Sequence, residues 1–247
     1  MCSDRHRLLA ASFSSVADIY ERSRPGYPDE AVRWLAGAAP ARVLDLGAGT
    51  GKLTRSLREH GHDVVAVDPS APMLEQLTAV LPDVDARLGS AEEIPVPDAS
   101  VDVVVVAQAY HWFDDDVAMP EIARVLGADG HVALVWNLRD ASVPWVDELW
   151  TRINPEEPRE IVAPEVDGSL FGPVESATFR HTQTLDKQRL LELVMSRSYV
   201  AVQSPDERTP LLADVSEIYD AHAGPDGIID PYVTYCFRAA RMSAEYV

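Results

Sequence analysis

Up to about residue 137 the chain alternates short apolar runs with amphipathic stretches, and that alternation limits the possible folds more than any other feature. Arg42–Leu46, Asp63–Asp68, Val84–Leu88, Val101–Ala107 and His131–Trp136 read as strands. Between them, Leu53 and Leu57, then Met73, Leu74, Leu77, Val80 and Leu81, recur at helical spacing. Ala31, Val32, Leu35 and Ala36 predict a helix before the first strand, and Pro120–Leu126 a short one before the fifth, closed by Gly127 and Gly130. Strands alternating with helices form right-handed βαβ units with a parallel sheet. The run Val101–Ala107 suits a strand buried on both faces of such a sheet. The expected class is therefore α/β, a doubly wound Rossmann-like sheet.

After Asn137 the rhythm breaks. Residues 138–172 are rich in Pro, Glu and Trp and carry no strand signal. Ala177–Leu185 alternates like a strand, and Tyr232–Phe237 reads as a last one. Leu190, Leu191, Val194 and Met195 are at helical spacing, as are Leu211, Leu212, Val215, Ile218 and Tyr219. One domain over 1–247 is expected. It divides into an N-terminal lid segment (1–28), a core (29–137), a variable helical cap with the sixth strand (138–222), and the last strand and tail (223–247).

Charge and composition narrow the partners. Against 21 Lys+Arg stand 40 Asp+Glu, a formal net charge of −19, opposite to that of a typical nucleic-acid binder and unfavourable at an anionic membrane. Only Cys2 and Cys236 are cysteines, so no disulfide framework is indicated. Met1–Ala11 lacks the apolar core of a signal peptide, and no apolar run approaches membrane-spanning length. A cytoplasmic protein is expected, with a small-molecule partner, no nucleic acid and no membrane. No spacing of His or Cys suggests a metal.

The chemically informative stretch is Val43-Leu44-Asp45-Leu46-Gly47-Ala48-Gly49-Thr50-Gly51. A strand ends, turns on glycines and enters a helix, at the edge where open α/β sheets bind ligands. A dinucleotide fingerprint requires G-x-G-x-x-G, and here Lys52 occupies the third-glycine position. Asp45, two residues before the first glycine, would repel a pyrophosphate and suits a cationic ligand. Asp68, ending the second strand, can accept ribose hydroxyls or simply favour the next helix dipole. Gly89-Ser90-Ala91-Glu92 could read an adenine edge or be a plain turn.

Together these residues resemble the S-adenosylmethionine (SAM)-binding motifs of the class I methyltransferases, in particular the type-11 methyltransferase domain family, over roughly Ala41–Asn137. The resemblance implies a seven-stranded sheet with its last strand antiparallel, and SAM as cofactor. It implies that Asp45 and the loop Gly47, Ala48, Gly49, Thr50 and Gly51 hold the methionine part and Asp68 the ribose. Pro69 and Met73 would flank the adenine, and Ser90, Ala91 and Glu92 would address its polar edge.

Gln108-Ala109-Tyr110-His111-Trp112-Phe113, after the fourth strand, is similar to a signature of a subgroup that includes trans-aconitate methyltransferase-like enzymes. So is the lead-in Tyr20-Glu21-Arg22-Ser23-Arg24-Pro25-Gly26-Tyr27-Pro28, which in that family folds over the SAM pocket. By this likeness Gln108 and Ala109 touch SAM, with His111 and Trp112 near the methyl group or the substrate. Tyr20, Arg24, Trp112 and Arg139 are the substrate candidates. His111 is the candidate general base, with a structural histidine weighing more heavily, because an acidic acceptor needs no base. Arg24 and Arg139 could pair with a substrate carboxylate or belong to surface salt bridges. Trp145 and Trp150 could line a pocket or pack a helix. Methyl transfer to a small molecule, to the oxygen of a carboxylate or phenol, is the expected function. A dinucleotide oxidoreductase and a non-catalytic SAM-binding module remain as alternatives.

Overall fold

The computed structural model describes residues 24–154 and 158–242. Seven strands form one sheet: β1 (Arg42–Leu46), β2 (Asp63–Asp68), β3 (Asp85–Leu88), β4 (Val101–Ala107), β5 (Leu126–Arg139), β6 (Glu175–Leu185) and β7 (Ile228–Ala240). Their order is β3-β2-β1-β4-β5-β7-β6, with the last strand antiparallel. The first five pair in parallel, with Asp45 set between Ala66 of β2 and Val105 of β4. The helices are α1 (Asp29–Ala36), α2 (Lys52–Glu59), α3 (Ala71–Val80), α4 (Asp115–Val125), α5 (Pro144–Ile153), α6 (Lys187–Met195), α7 (Ser198–Ala201) and α8 (Pro205–His222).

Two compact units partition the chain. The first contains Gly26–Asn137, Ile161–Phe179 and the chain from Thr234 onward. Successive side chains of a strand point to opposite faces, and both faces of this sheet are covered by apolar clusters. Leu44, Leu46, Val104 and Val106 belong to one, with Met119 and Ile122 of α4. Val43, Val103 and Val105 belong to the other, with Leu35 of α1 and Leu53 and Leu57 of α2. Burial on both sides is why Val103–Ala107 of β4 reads as an unbroken apolar run, while β1 is apolar but for Arg42 and the fully buried Asp45.

The second unit contains Leu138–Glu160 and Arg180–Val233, together with Arg24 and Pro25 among the described N-terminal residues. Within it α8 packs against α5 and α6. The helix starts are fixed locally. Asp186 accepts the backbone N–H of Arg189, and Ser204 forms a reciprocal capping box with Glu207 ahead of α8.

Within residues 138–172, which carry no strand signal, Pro144 starts a helix that buries Trp145, Val146, Leu149, Trp150 and Ile153, one apolar face at i, i+3/i+4 spacing. The helix expected to begin at Pro120 begins instead at Asp115. Asp115 and Asp116 in its first turn favour the positive end of the helix dipole, and burial of Ala118 and Met119 anchors that turn. Strand ends also move: β5 starts at Leu126, and β7 runs from Ile228 to Ala240.

Candidate functional site

Asp45 lies on the same face of β1 as Val43, two residues earlier, and so points toward α2. Its side chain is fully buried, and Thr54 Oγ1 of α2 donates to Oδ2 at 2.5 Å. Oδ1 is buried without a hydrogen-bond partner. Burial pushes this carboxyl up to about 7; the Thr54 hydrogen bond opposes the rise, and the nearby Asp68 charge adds to it. A buried, half-satisfied acid of this kind is costly for the folded chain and is stabilised by a neighbouring positive charge.

The loop that follows is shaped by backbone bonds and missing side chains. The N–H groups of Gly47 and Ala48 both donate to Val67 O, at 2.8 and 3.0 Å, which turns the chain over the end of β2. Gly47, Gly49 and Gly51 all have positive φ (75°, 56° and 85°), a region open chiefly to glycine. A Cβ on Gly47 would sit 2.6 Å from the Ala109 Cβ, and one on Gly51 2.8 Å from Leu77. Gly49 faces open space. The loop thus forms a backbone-lined cradle with one exposed side.

Asp68 staples this cradle to the next turn. Its Oδ2 accepts the N–H of Gly49 and its Oδ1 that of Ser70, both at 2.8 Å. Burial raises its pKa and the two backbone hydrogen bonds oppose the rise. A carboxylate oxygen has more than one acceptor site, so the staple leaves capacity for a ligand hydroxyl.

Pro69 is exposed, and Met73, in the first turn of α3, is buried. Ala91 lies in the apolar cluster, Ser90 is half-buried, and Glu92 Oε1 accepts the N–H of Asp114 at 3.0 Å, holding the entrance to α4. Gln108 also has positive φ (58°); its N–H donates to Val135 O and its Nε2 to Asn137 O at 3.0 Å. Ala109, pressed against Gly47, carries the chain into a 3-10 turn, Tyr110–Trp112. Tyr110 is buried edge-on against Phe113 and Trp136. His111 is exposed and tilted against Trp112, their rings 4.7 Å apart.

Sequence reasoning gave Asn137 no role at this edge. Its Nδ2 donates to Gly26 O at 2.9 Å and its Oδ1 accepts from the buried Thr234 hydroxyl at 2.6 Å. A polar residue closing an otherwise apolar strand run, Val132–Trp136, was the available signal.

The other substrate candidates belong to the second unit or fall outside the described residues, as Tyr20 does. Arg24 donates from Nε to Ser196 Oγ at 2.9 Å and from Nη2 to Ser196 O at 3.2 Å. Arg139 ends β5 and is buried, neither an exposed edge residue nor a surface ion pair. Its Nε lies 3.5 Å from Asp230 Oδ2, and its guanidinium lies over the Trp150 ring. Trp145 and Trp150 are both buried in α5. Among the described residues, no group of three or more His, Cys, Asp or Glu could hold a metal ion, and no helix is long and apolar enough to cross a membrane.

A pyrophosphate would place its negative charge beside the half-satisfied carboxyl of Asp45, whereas SAM brings an ammonium and a sulfonium. The orphaned Oδ1 of Asp45 and the open face of Gly49 fit the latter.

Comparison with known proteins leads to the same place. The methyltransferase domain family matches residues 44–134. An uncharacterized methyltransferase of Mycobacterium tuberculosis is 48% identical over 245 residues, covering 96% of this chain and 98% of the relative. A malonyl-[acyl-carrier protein] O-methyltransferase of Salmonella typhimurium is 30% identical over 191 residues, 75% of this chain and 74% of the relative. Among solved structures, a candidate type II methyltransferase from Anaeromyxobacter dehalogenans superposes with a TM-score of 0.63 at 29% identity, covering 88% of this chain and 97% of the other. The chain belongs to the methyltransferase domain family of class I enzymes, with SAM as cofactor.

Proposed function

We propose that the protein methylates an oxygen of a small organic acid, a carboxylate or an acidic phenol. The observation that carries this reading is the pairing of a cofactor cradle suited to a cationic ligand with a turn at the end of β4 that carries the exposed His111 against the half-buried Trp112. Likeness to an O-methyltransferase named for a malonyl thioester, whose free end is a carboxylate, supports an acidic acceptor.

SAM supplies a methyl group on a sulfonium, already a good leaving group. Asp45 would hold the ammonium side of the cofactor, the backbone of Gly47–Gly51 would cradle it, and Asp68 would accept ribose hydroxyls while still bound to Gly49 and Ser70. Met73 and Pro69 would flank the adenine, and Ser90 and Glu92 would lie along its polar edge. Gln108, its side chain fixed on Asn137, would present the turn that carries His111 and Trp112. What remains for the protein is to align the acceptor oxygen and exclude water.

An ionised acceptor needs no proton removed, so His111 acts here by position rather than as a base. With a carboxylate acceptor, His111→Gln should change kcat by less than about tenfold, whereas losing a general base costs about 10²–10⁴. The direct test is transfer of label from methyl-labelled SAM to a panel of small carboxylic acids, phenols, amines and neutral alcohols. Label in methyl esters or aryl ethers supports the reading; label only in amines or neutral alcohols overturns it.

A further inference from the structure

Thr54 lies past the glycine loop, in the first turn of α2, where nothing local distinguishes it from a packing residue. Its side chain is fully buried, and its hydroxyl donates to Asp45 Oδ2 at 2.5 Å. The backbone adds a second contact. The N-cap of α2 is Gly51, which has no side chain to offer the N–H groups of the first turn. The Asp45 carboxylate stands in for that cap, and the Thr54 N–H acts on it in the same sense as the hydroxyl. One residue thus brings two donors to one carboxylate, at the end of a helix whose dipole favours negative charge.

The other surroundings oppose that charge. Asp68 faces Asp45 from the end of β2 and repels it. The adjacent sheet positions are Ala66 of β2 and Val105 of β4, and Leu35 of α1 with Leu53 and Leu57 of α2 covers the same face. The charged residues of these helices lie off their buried faces. Asp29, Glu30, Arg33, Arg58 and Glu59 are exposed, and Lys52 and Arg55 are half-buried. Burial and Asp68 push the carboxyl up, Thr54 pulls it back, and the balance stands at about 7. Oδ1 meanwhile is buried without a hydrogen-bond partner. The geometry divides the carboxylate: one oxygen is committed to Thr54, and the other is left for a ligand.

We propose that Thr54 is a positioning residue for the cofactor: by binding Oδ2 it keeps Asp45 charged and leaves Oδ1 to meet the cofactor's ammonium. The proposal rests on the reading above in which Asp45 holds that ammonium, and it deepens it. Thr54 acts through Asp45 and not by contact with the cofactor. A hydrogen bond to a charged group shifts its ionisation by about tenfold or more. Without the hydroxyl, Asp45 keeps its proton to higher pH, and an ammonium meets a neutral acid where a carboxylate stood.

The test is calorimetric titration of the full chain with S-adenosylhomocysteine between pH 6 and pH 8.5, for the wild type, Thr54→Val and Thr54→Ser. Valine keeps the shape and the backbone N–H and removes the hydroxyl; serine keeps the hydroxyl. Relative to the wild type at the same pH, Thr54→Val should bind about tenfold more weakly at pH 6, about fivefold at pH 7 and less than about twofold at pH 8.5. The ligand's own titration cancels in that ratio. Proton release on binding at pH 7, read from two buffers of different ionisation enthalpy, should rise from about half a proton in the wild type to nearly one in Thr54→Val. Thr54→Ser should restore the wild-type profile. If Thr54→Val does not fold, Thr54→Cys, whose thiol is a weak donor, should show the same trend at smaller size. A loss of equal size at every pH would make Thr54 a packing residue and overturn the proposal, as would a Thr54→Ser that loses as much as Thr54→Val. Asp45→Asn, titrated alongside, separates the two readings. Unchanged affinity there sinks the role of Asp45 and this proposal with it. Weakened affinity there, with a Thr54→Val that follows the wild type at every pH, overturns this proposal alone.

Discussion

Asp45→Asn should make the cofactor-free protein more stable while weakening cofactor binding, and the size of the effect follows from where Asp45 sits. The native carboxyl is pushed from 3.8 to about 7, chiefly by burial. It therefore holds its proton more tightly than the unfolded chain does, and between those two values the native state binds more protons. Stability contributed by this group falls as pH rises through that window and levels off above it. At about 1.4 kcal/mol per unit, the penalty is about 4 kcal/mol at pH 8 and about 1.5 kcal/mol at pH 5. An asparagine retains an oxygen for Thr54 Oγ1 and carries no charge to desolvate. Urea denaturation of wild type and variant, without cofactor, should show the variant gaining about 2.5 kcal/mol more at pH 8 than at pH 5. The second half concerns the ligand. A cationic group near Oδ1 lowers the pKa again, so binding S-adenosylhomocysteine at pH 7 should release about half a proton, and almost none at pH 9. Calorimetry in two buffers of different ionisation enthalpy reads this directly, and Asp45→Asn should abolish the release. Parallel pH–stability profiles for the two proteins, or no buffer dependence of the binding heat, would refute the reasoning.

Other predictions can be checked with the same preparations. Gly49→Ala meets open space but keeps a φ of 56°, so it should cost only the left-handed strain, about 1–2 kcal/mol by chemical denaturation. Gly47→Ala adds a steric overlap with Ala109 to similar strain and should cost more than Gly49→Ala; equal costs would show that the turn yields freely. Asn137→Leu removes the bonds to Gly26 and Thr234 at a buried position, and should lower stability by about 1–3 kcal/mol, with a lower Tm in calorimetric melts. Thr234→Val in that background should recover part of the loss, since the stranded hydroxyl goes with it.

Strands β2, β4 and β5 are legible because burial on two faces leaves a mostly apolar run that few other elements imitate, whereas β3, an edge strand with no buried residue, carries no such run. The glycine loop was legible because positive φ and close approach restrict the residue type at Gly47, Gly49 and Gly51. Within the expected helical cap the bounds of α5 are hard to read, although Trp145, Val146, Leu149, Trp150 and Ile153 have helical spacing, because the surrounding Pro and Glu mask that periodicity. The start of α4 was misplaced because Pro120 resembles a first-turn proline, while the acidic turn before it carries the actual start. Pairings between distant positions were beyond reach. Nothing local says that Glu92 caps the entry to α4, that Asn137 joins Gln108, Gly26 and Thr234, or that Arg139 is buried against Asp230 and Trp150.

The contact between Gly47 and Ala109 has a genetic corollary. The cofactor loop and the turn after β4 share one small volume, which a methyl group can occupy from the Ala109 side only. The two positions are therefore expected to behave as a single heritable unit. A side chain gained at residue 47 would be tolerated best by lineages that had already lost one at residue 109, and a suppressor screen begun from Gly47→Ala should return Ala109→Gly ahead of changes elsewhere in the fold.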